Sequence, residues 1–540
     1  MPSFFKRGKQ VKNNPNKKDG INHNLPQPLN ISLAVNLDFI NQKTGNSSDI
    51  VIRTKKIGTH TQLTTAVLYV EGMVNEQSIQ DFLIESMMNN SKDLNALGPQ
   101  EALEKLAEDV VSLGHVTWVQ EWDALFLSLM SGNTIILVDG VKKALNVSTK
   151  GGEKRAIEEP SSQVTVRGPR DGFTESLSTN TTLIRKRINS PNLWVESMQI
   201  GRVTNTKVAM VYVHGIANDK IVNEVRRRLK AIDIDSILES GYIEQLIEDQ
   251  TSTTFPTLYH TERPDSVAGN LLEGRVAIIV DGTPFVLLAP AIFIQFFQAV
   301  EDYYARFDIS TALRFLRILI FFISIIAPAT FVAATTFHQE MIPTNLVIAI
   351  AAQRETVPFP AFVEAAMMEV TFEILREAGI RLPRAVGSAI SIVGALVIGQ
   401  AAVQAGIVTP AMVIIVSITA IANFATPSFA MAISARLIRF AFMVAAALFG
   451  FYGVILGLIM LILHLCGLRS FGVPYMTPIA PVIPAELGDT FIRVPWWALW
   501  RRPSFISSNR TRKGKNKHPQ PPRSRGIVNT DMEQGDRNES

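Results

Sequence analysis

The sequence predicts an α/β N-terminal region of two duplicated lobes, followed by an α-helical multi-pass membrane domain. Three observations carry this. Residues before Pro290 mix polar and apolar types as water-soluble domains do, whereas 385–435 and 440–466 contain no Asp, Glu, Lys or Arg. An apolar helix needs about 20 residues to cross a hydrocarbon core, so each charge-free run can cross at least once. A ten-residue pattern in the polar half occurs twice, the mark of an internal repeat. Runs of Leu, Ile, Ala and Val without alternation favour helices over barrel strands.

Residues 1–35 read as a basic, disordered N-terminus. Lys6, Arg7, Lys9, Lys12, Lys17 and Lys18 cluster there without an apolar core, so the segment is not a secretory signal. The lobes are placed at 36–140 and 179–290, joined by a polar segment at 141–178. Ala66 to Asn75 reappears as Ala209 to Asn218. Ile57-Gly58, Gly132 and Ile136 to Gly140 recur at nearly the same offset, about 143 positions, as Ile200-Gly201, Gly274 and Ile278 to Gly282. Each copy reads as a strand, a Gly turn, an amphipathic helix and a strand ending in Asp-Gly. That order predicts a partly parallel sheet with helices packed on it. Val222, Val225, Leu229 and Ile232 form one helical stripe with Arg226, Arg227 and Arg228 largely off it. Asp139-Gly140 and Asp281-Gly282 read as hairpin turns rather than catalytic carboxylates. Arg167 to Gly172 reads as an ordered loop, with anion gripping as the alternative. A cleft between two lobes serves either a ligand or an assembly platform.

The membrane domain is placed at 291–500. Four strong spans fall at about 316–337, 386–406, 409–428 and 440–465, within a total of four to six crossings. Following Pro358 and Pro360, the helix 361–378 sets Glu369, Glu373 and Glu377 in one stripe with Arg376 at its edge. Glu364 lies on the opposite, largely apolar side. Two readings stand: a helix at the bilayer surface with its acids in water, or acids lining a cation path. Gln400, Gln404, Asn423, Thr426 and Pro427 are polar breaks, suited to an ion path or to bonding between helices. Gly450, Gly453 and Gly457 permit close helix packing. Arg381 and Arg384, like Arg436 and Arg439, vote for the cytoplasm as span flanks. With only four crossings that vote conflicts with a cytoplasmic N-terminal domain. Both termini are favoured inside, with 501–540 a basic, disordered cytoplasmic tail.

Catalytic chemistry has no footing in the sequence. Phosphate loops, zinc-binding helix motifs, cysteine pairs and a Gly-x-Ser-x-Gly elbow are all missing, and the eight histidines are scattered without ligand spacing. No enzyme, catalytic residue, metal or cofactor is expected. Cys466 is the single cysteine, so no disulfide forms within the chain. A net charge of +4 is too small to imply nucleic acid.

Several motifs in order resemble the A subunit of the GerA-type spore germinant receptor. They are Arg167 to Leu177, Gly274 to Phe285, Pro358-Phe359-Pro360-Ala361, Glu369 to Glu377 and Leu468 to Tyr475, within about 60–500. The resemblance implies a subunit of the inner spore membrane, a cell membrane; the multi-pass reading and the cytoplasmic N-terminal domain and C-terminal tail come from the charge pattern. It implies a transporter-like B subunit and a lipoprotein C subunit as partners, with the nutrient germinant bound by a partner. It further implies a homo-oligomer that turns germinant binding into cation release, the acidic stripe serving as an ion channel. Two other classes remain beside it, a secondary transporter with a regulatory cytoplasmic domain and a passive membrane scaffold.

Overall fold

The computed structural model describes residues 28–57, 63–77, 79–80, 98–110, 115–151, 159–160, 163, 165–381 and 397–512. The N-terminal lysine cluster, Gly58, Arg384, 386–396 of the expected second span, and the basic residues from Lys513 onward lie outside them.

The first lobe runs α1 (Leu33–Thr44), β1 (Ile50–Ile57), β2 (Leu63–Val70), α2 (Pro99–Val110), β3 (Val116–Val119), α3 (Trp122–Met130), β4 (Thr134–Val138) and β5 (Ala144–Val147). The second runs α4 (Leu177–Arg187), β6 (Leu193–Ile200), β7 (Thr206–Val213), α5 (Asp219–Ala231), α6 (Ser240–Ile247), β8 (Tyr259–Thr261), α7 (Pro264–Leu272), β9 (Val276–Val280) and β10 (Val286–Ala289). The sheet orders are β1-β2-β4-β5-β3 and β6-β7-β9-β10-β8, so the sequence repeat is matched in topology.

The expected partly parallel sheet is corrected, because every strand pairing in both sheets is antiparallel. A strand–helix–strand reading assumes one crossover. Here a short edge strand and a second helix, β3 with α3 and β8 with α7, intervene and bring the chain back reversed. A three-residue edge strand such as β8 is too short to show a period.

Shared local chemistry sets both lobes. The Asp139 carboxylate accepts from Leu33 N at 2.8 Å and Asp281 accepts from Leu177 N at 3.0 Å, so each Asp-Gly turn caps a helix start. Asn36 closes the loop before α1 by bonding both backbone groups of Asn30, and Asn180 does the same with Thr174. Gly274 has φ +101°, and a Cβ there would press on the Ile216 carbonyl at 3.1 Å. Helices cover both sheet faces. In α5 the buried stripe is Ile221, Val222, Val225 and Leu229.

The C-terminal region comprises α8 (Phe307–Thr336), α9 (Thr344–Arg354), α10 (Ala361–Arg381), a helical stretch at 397–404, α11 (Pro410–Phe424) and α12 (Phe429–Gly467). Two of these, α8 and α12, are long and apolar enough to cross a membrane, and α11 is a shorter apolar helix. One apolar core joins this region to the second lobe. It runs from Met210 and Val225 through Phe293, Phe297 and Tyr475 to Phe321, Ile325 and Met443.

The expected single span at 440–465 is also corrected, because α12 reverses within it. Gly450 takes φ 59° and ψ −143°, which splits the helix. Ser434 donates to the Thr254 carbonyl, and the His464 Nε2 lies 2.9 Å from the Thr253 hydroxyl. Along a straight helix Ser434 and His464 would stand about 45 Å apart, yet they meet adjacent residues. A Cβ on Gly457 would lie 3.1 Å from the Phe442 ring, so the two arms face each other. The tip at Gly450 rests on His338 and Phe337, just past the end of α8.

Candidate functional site

Between the helices lies a ladder of charge. Arg439 donates to Glu369 at 2.5 Å and to the Ser324 carbonyl at 2.6 Å. Thr419 adds a hydroxyl to Glu369 at 3.1 Å. One turn along, Glu373 takes Arg436 at 2.7 Å and Arg376 at 3.2 Å, and Glu377 pairs with Arg381 at 2.6 Å. At the other end, Glu364 accepts from the backbone and hydroxyl of Thr409 at 3.1 and 3.0 Å, with Arg354 at 4.0 Å. Pairing is what allows carboxylates to sit among apolar helices, since an isolated buried charge is costly.

The ladder also gives the helix directions. The first arm of α12 runs from Ser434 at the second lobe toward Gly450. Glu373 meets Arg436 and Glu369 meets Arg439, so α10 runs back toward the lobe. Thr409 meets Glu364 and the Phe424 ring lies 5.2 Å from the Arg376 guanidinium, so α11 runs alongside α10. At its root α8 is anchored by Arg314, which binds Asp302 and Asp489 at 3.1 Å each.

The acids do not share one environment. Glu364 and Glu369 are buried, Glu373 is half-buried and Glu377 is 61% exposed. The buried stripe of α10 is Ala361, Glu364, Ala365, Met368 and Glu369, so Glu364 joins Glu369 on the packed face. Arg436 and Arg439, read from sequence as cytoplasmic flanks, lie inside the first arm as partners of the acids. Gln400 and Gln404 are exposed. Asn423, near the end of α11, and Thr426, just after it, are buried with side chains that have no hydrogen-bond partner among the described residues, and Pro427 follows them half-buried. Gly450 makes the hairpin tip, while Gly453 and Gly457 pack one arm on the other. Sequence reasoning missed Ser324, Thr409, Thr419 and Arg354 as partners. Arginines three apart beside a charge-free run were the available signal for Arg436 and Arg439.

The hairpin is rooted in the second lobe. After α12 the Ser470 hydroxyl donates to the Thr257 carbonyl at 2.6 Å and the Tyr475 hydroxyl to Pro256 at 2.8 Å, while Arg228 of α5 lies over the Phe471 ring at 4.4 Å. The Arg167 to Gly172 loop is pinned through its backbone and Asp171. Arg263 donates to the Pro169 carbonyl at 2.9 Å and Arg187 pairs with Asp171 at 2.6 Å. Arg167 and Arg170 point outward, exposed. Among the described residues no group of three or more His, Cys, Asp or Glu side chains could hold a metal ion.

Residues 38–505 match the Bacillus/Clostridium GerA spore germination protein. The chain belongs to this GerA family. It is 59% identical to spore germination protein KA of Bacillus subtilis (strain 168), over the whole of both chains. Spore germination protein GerLA of Bacillus cereus is 40% identical over 87% of this chain and 94% of its own. Spore germination protein A1 of Bacillus subtilis is 36% identical over 85% and 93%. Among solved structures, the crystal structure of the N-terminal domain of the A subunit of the Bacillus megaterium spore germinant receptor GerK3 is similar. It is 53% identical, covers 51% of this chain and all of that one, and has a TM-score of 0.41. As a GerA-family protein the chain has a role in spore germination, and its ladder and hairpin lie within the matched residues.

Proposed function

We propose that this chain is the membrane subunit of a nutrient-responsive germination receptor in the inner spore membrane, and that it relays germinant binding into cation release. The observation that carries this reading is the α12 hairpin. Both its ends bond 253–257 of the second lobe, while its first arm holds the ladder acids Glu369 and Glu373. Lobe and ladder are thereby one mechanical unit, and a shift of the lobe pulls directly on the ion pairs.

The chain crosses the membrane six times in this reading. It passes outward along α8, back along α10, outward along the segment ending near 404, back along α11, then out and back along the two arms. Six crossings leave the lobes and the C-terminal tail on one side, the cytoplasm. This topology removes the conflict set by Arg436 and Arg439, which are ladder partners rather than flanks.

The nutrient binds a partner, a transporter-like B subunit acting with a lipoprotein C subunit. Occupancy there shifts a closed–open equilibrium of an oligomer of this chain by its difference in affinity for the two states. Opening separates Arg436 and Arg439 from the stripe, and the freed Glu369 and Glu373, together with the already exposed Glu377, attract cations. In spores, the combined substitution E369Q, E373Q and E377Q is expected to abolish or slow nutrient-triggered cation release while the protein accumulates. Unchanged release at normal protein level would rule out the stripe as the cation path and leave the scaffold reading.

A further inference from the structure

After the hairpin the chain returns to the second lobe through a stretch that the receptor reading leaves unused. Between 492 and 505 it exposes Ile492, Trp496, Trp497, Trp500 and Phe505. Its position is fixed at the root of α8. Arg493 N donates to the Thr311 hydroxyl at 3.0 Å, and the Trp496 indole donates to the Tyr303 carbonyl at 3.3 Å. On both sides of Thr311, α8 exposes apolar side chains, from Phe307 and Ile309 through Leu313, Phe315, Leu316 and Leu319. Tryptophans at such a boundary sit where headgroups meet hydrocarbon.

Behind them lies a cavity of about 370 Å³ whose wall carries Arg275, Arg501, Arg502 and Arg512. Its acids are already engaged. Glu273 holds Arg275 at 2.8 Å and Arg512 at 3.1 Å, Asp489 holds Arg314 at 3.1 Å, and Glu486 accepts from Ser504 N at 2.9 Å. Among the described residues the Arg502 guanidinium donates only to the carbonyls of Leu272, Asn509 and Thr511, and Arg501 lies over the Trp500 ring at 4.2 Å. Burial, and after it the neighbouring Arg512, lower the Arg502 guanidinium from its usual range, with Glu273 acting in the opposite direction. The buried Thr477 hydroxyl and the Nε of buried Arg275 have no hydrogen-bond partner among the described residues, and both residues line the cavity. Unspent donors beside two guanidiniums that have no carboxylate partner among the described residues make a receptor for an anion.

We propose that 492–512 is a membrane-interface anchor whose arginine-lined cavity takes the phosphate of an anionic phospholipid headgroup, with Trp497 and Trp500 seated where the headgroups meet the acyl chains. The proposal rests on the membrane reading above.

The test uses the purified full chain in vesicles of phosphatidylcholine, alone or mixed with phosphatidylglycerol. Resistance to alkaline extraction reports insertion, and native mass spectrometry after detergent extraction reports retained lipid. Failure of insertion would strike the membrane reading, whereas retained lipid tests the anchor by itself. The expected result is retention of phosphatidylglycerol over phosphatidylcholine by about tenfold or more. R501Q with R502Q should remove that preference, R501K with R502K should keep part of it, and millimolar inorganic phosphate should not displace the lipid. R501Q alone, at an exposed side chain, guards against misfolding and should weaken the preference. Equal retention of both lipids, an unchanged preference in R501Q with R502Q, or displacement by inorganic phosphate would overturn the proposal.

Discussion

Arg439 and Glu369 form an ion pair in which each side chain is only 2% exposed. Because Arg439 also donates to the Ser324 carbonyl, a single guanidinium ties α8, α10 and α12 together.

Removing one partner leaves the other as an uncompensated buried charge. R439M alone is expected to destabilise the chain by about 3–5 kcal/mol, whereas R439M with E369L is expected to be near neutral or stabilising. Thermal unfolding of the detergent-solubilised chain checks this. A double variant as unstable as the single one would show that the pair itself holds the fold.

Gly450 occupies a backbone region that other residues enter at a cost, and an added Cβ would meet the His338 ring at 2.7 Å. G450V is expected to lose about 2 kcal/mol or more and to loosen the hairpin tip. Increased hydrogen exchange confined to residues near 337–341 and 446–454 would register the effect, while exchange unchanged from the parent chain would refute it.

The Ser434 and His464 contacts with 253–254 form the root of the hairpin. S434A with H464L removes two hydrogen bonds worth about 1 kcal/mol each, too little to unfold the chain. The expected phenotype is normal accumulation with a weakened nutrient response in spores. A full response would mean that lobe and ladder communicate by another route.

Much of this architecture is legible from residue order. The repeat needs only the matched patterns around Tyr69 and Tyr212, and the charge-free runs locate the apolar helices. The antiparallel sheets are not legible, since β3 and β8 are too short to show a period and decide the chain's direction. Nor is the hairpin, because Gly450 resembles any other glycine in an apolar helix until its φ is known. Glu364 was misassigned because helical periodicity ranks acids against one another, while burial depends on Thr409 of a neighbouring helix.

A titrating group on α6 links the second lobe to pH. Burial, with Glu248 and Glu239 nearby, pushes the Glu244 carboxyl from 4.5 up to about 7. Between these values the folded state holds the extra proton, so stability is full below about pH 4.5 and is lost as pH rises through 7. Allowing for partial exposure, the loss is about 1–2 kcal/mol. E244Q should flatten it. Hydrogen exchange of 240–247 at pH 5 and pH 8, corrected for intrinsic rates, measures the difference, and an equal pH effect in E244Q would contradict the assignment.

Sidedness is the claim on which both the relay and the lipid anchor depend. Cys466, the only native cysteine, ends the second arm beside the lobe and is exposed, while Glu340 lies near the tip that meets His338. Labelling with a membrane-impermeant maleimide, in sealed vesicles of each orientation, compares Cys466 with E340C in a C466S background. The two positions are expected to label from opposite faces, Cys466 from the face that also exposes the N-terminal lobes to protease. Labelling of both from one face would contradict this sidedness.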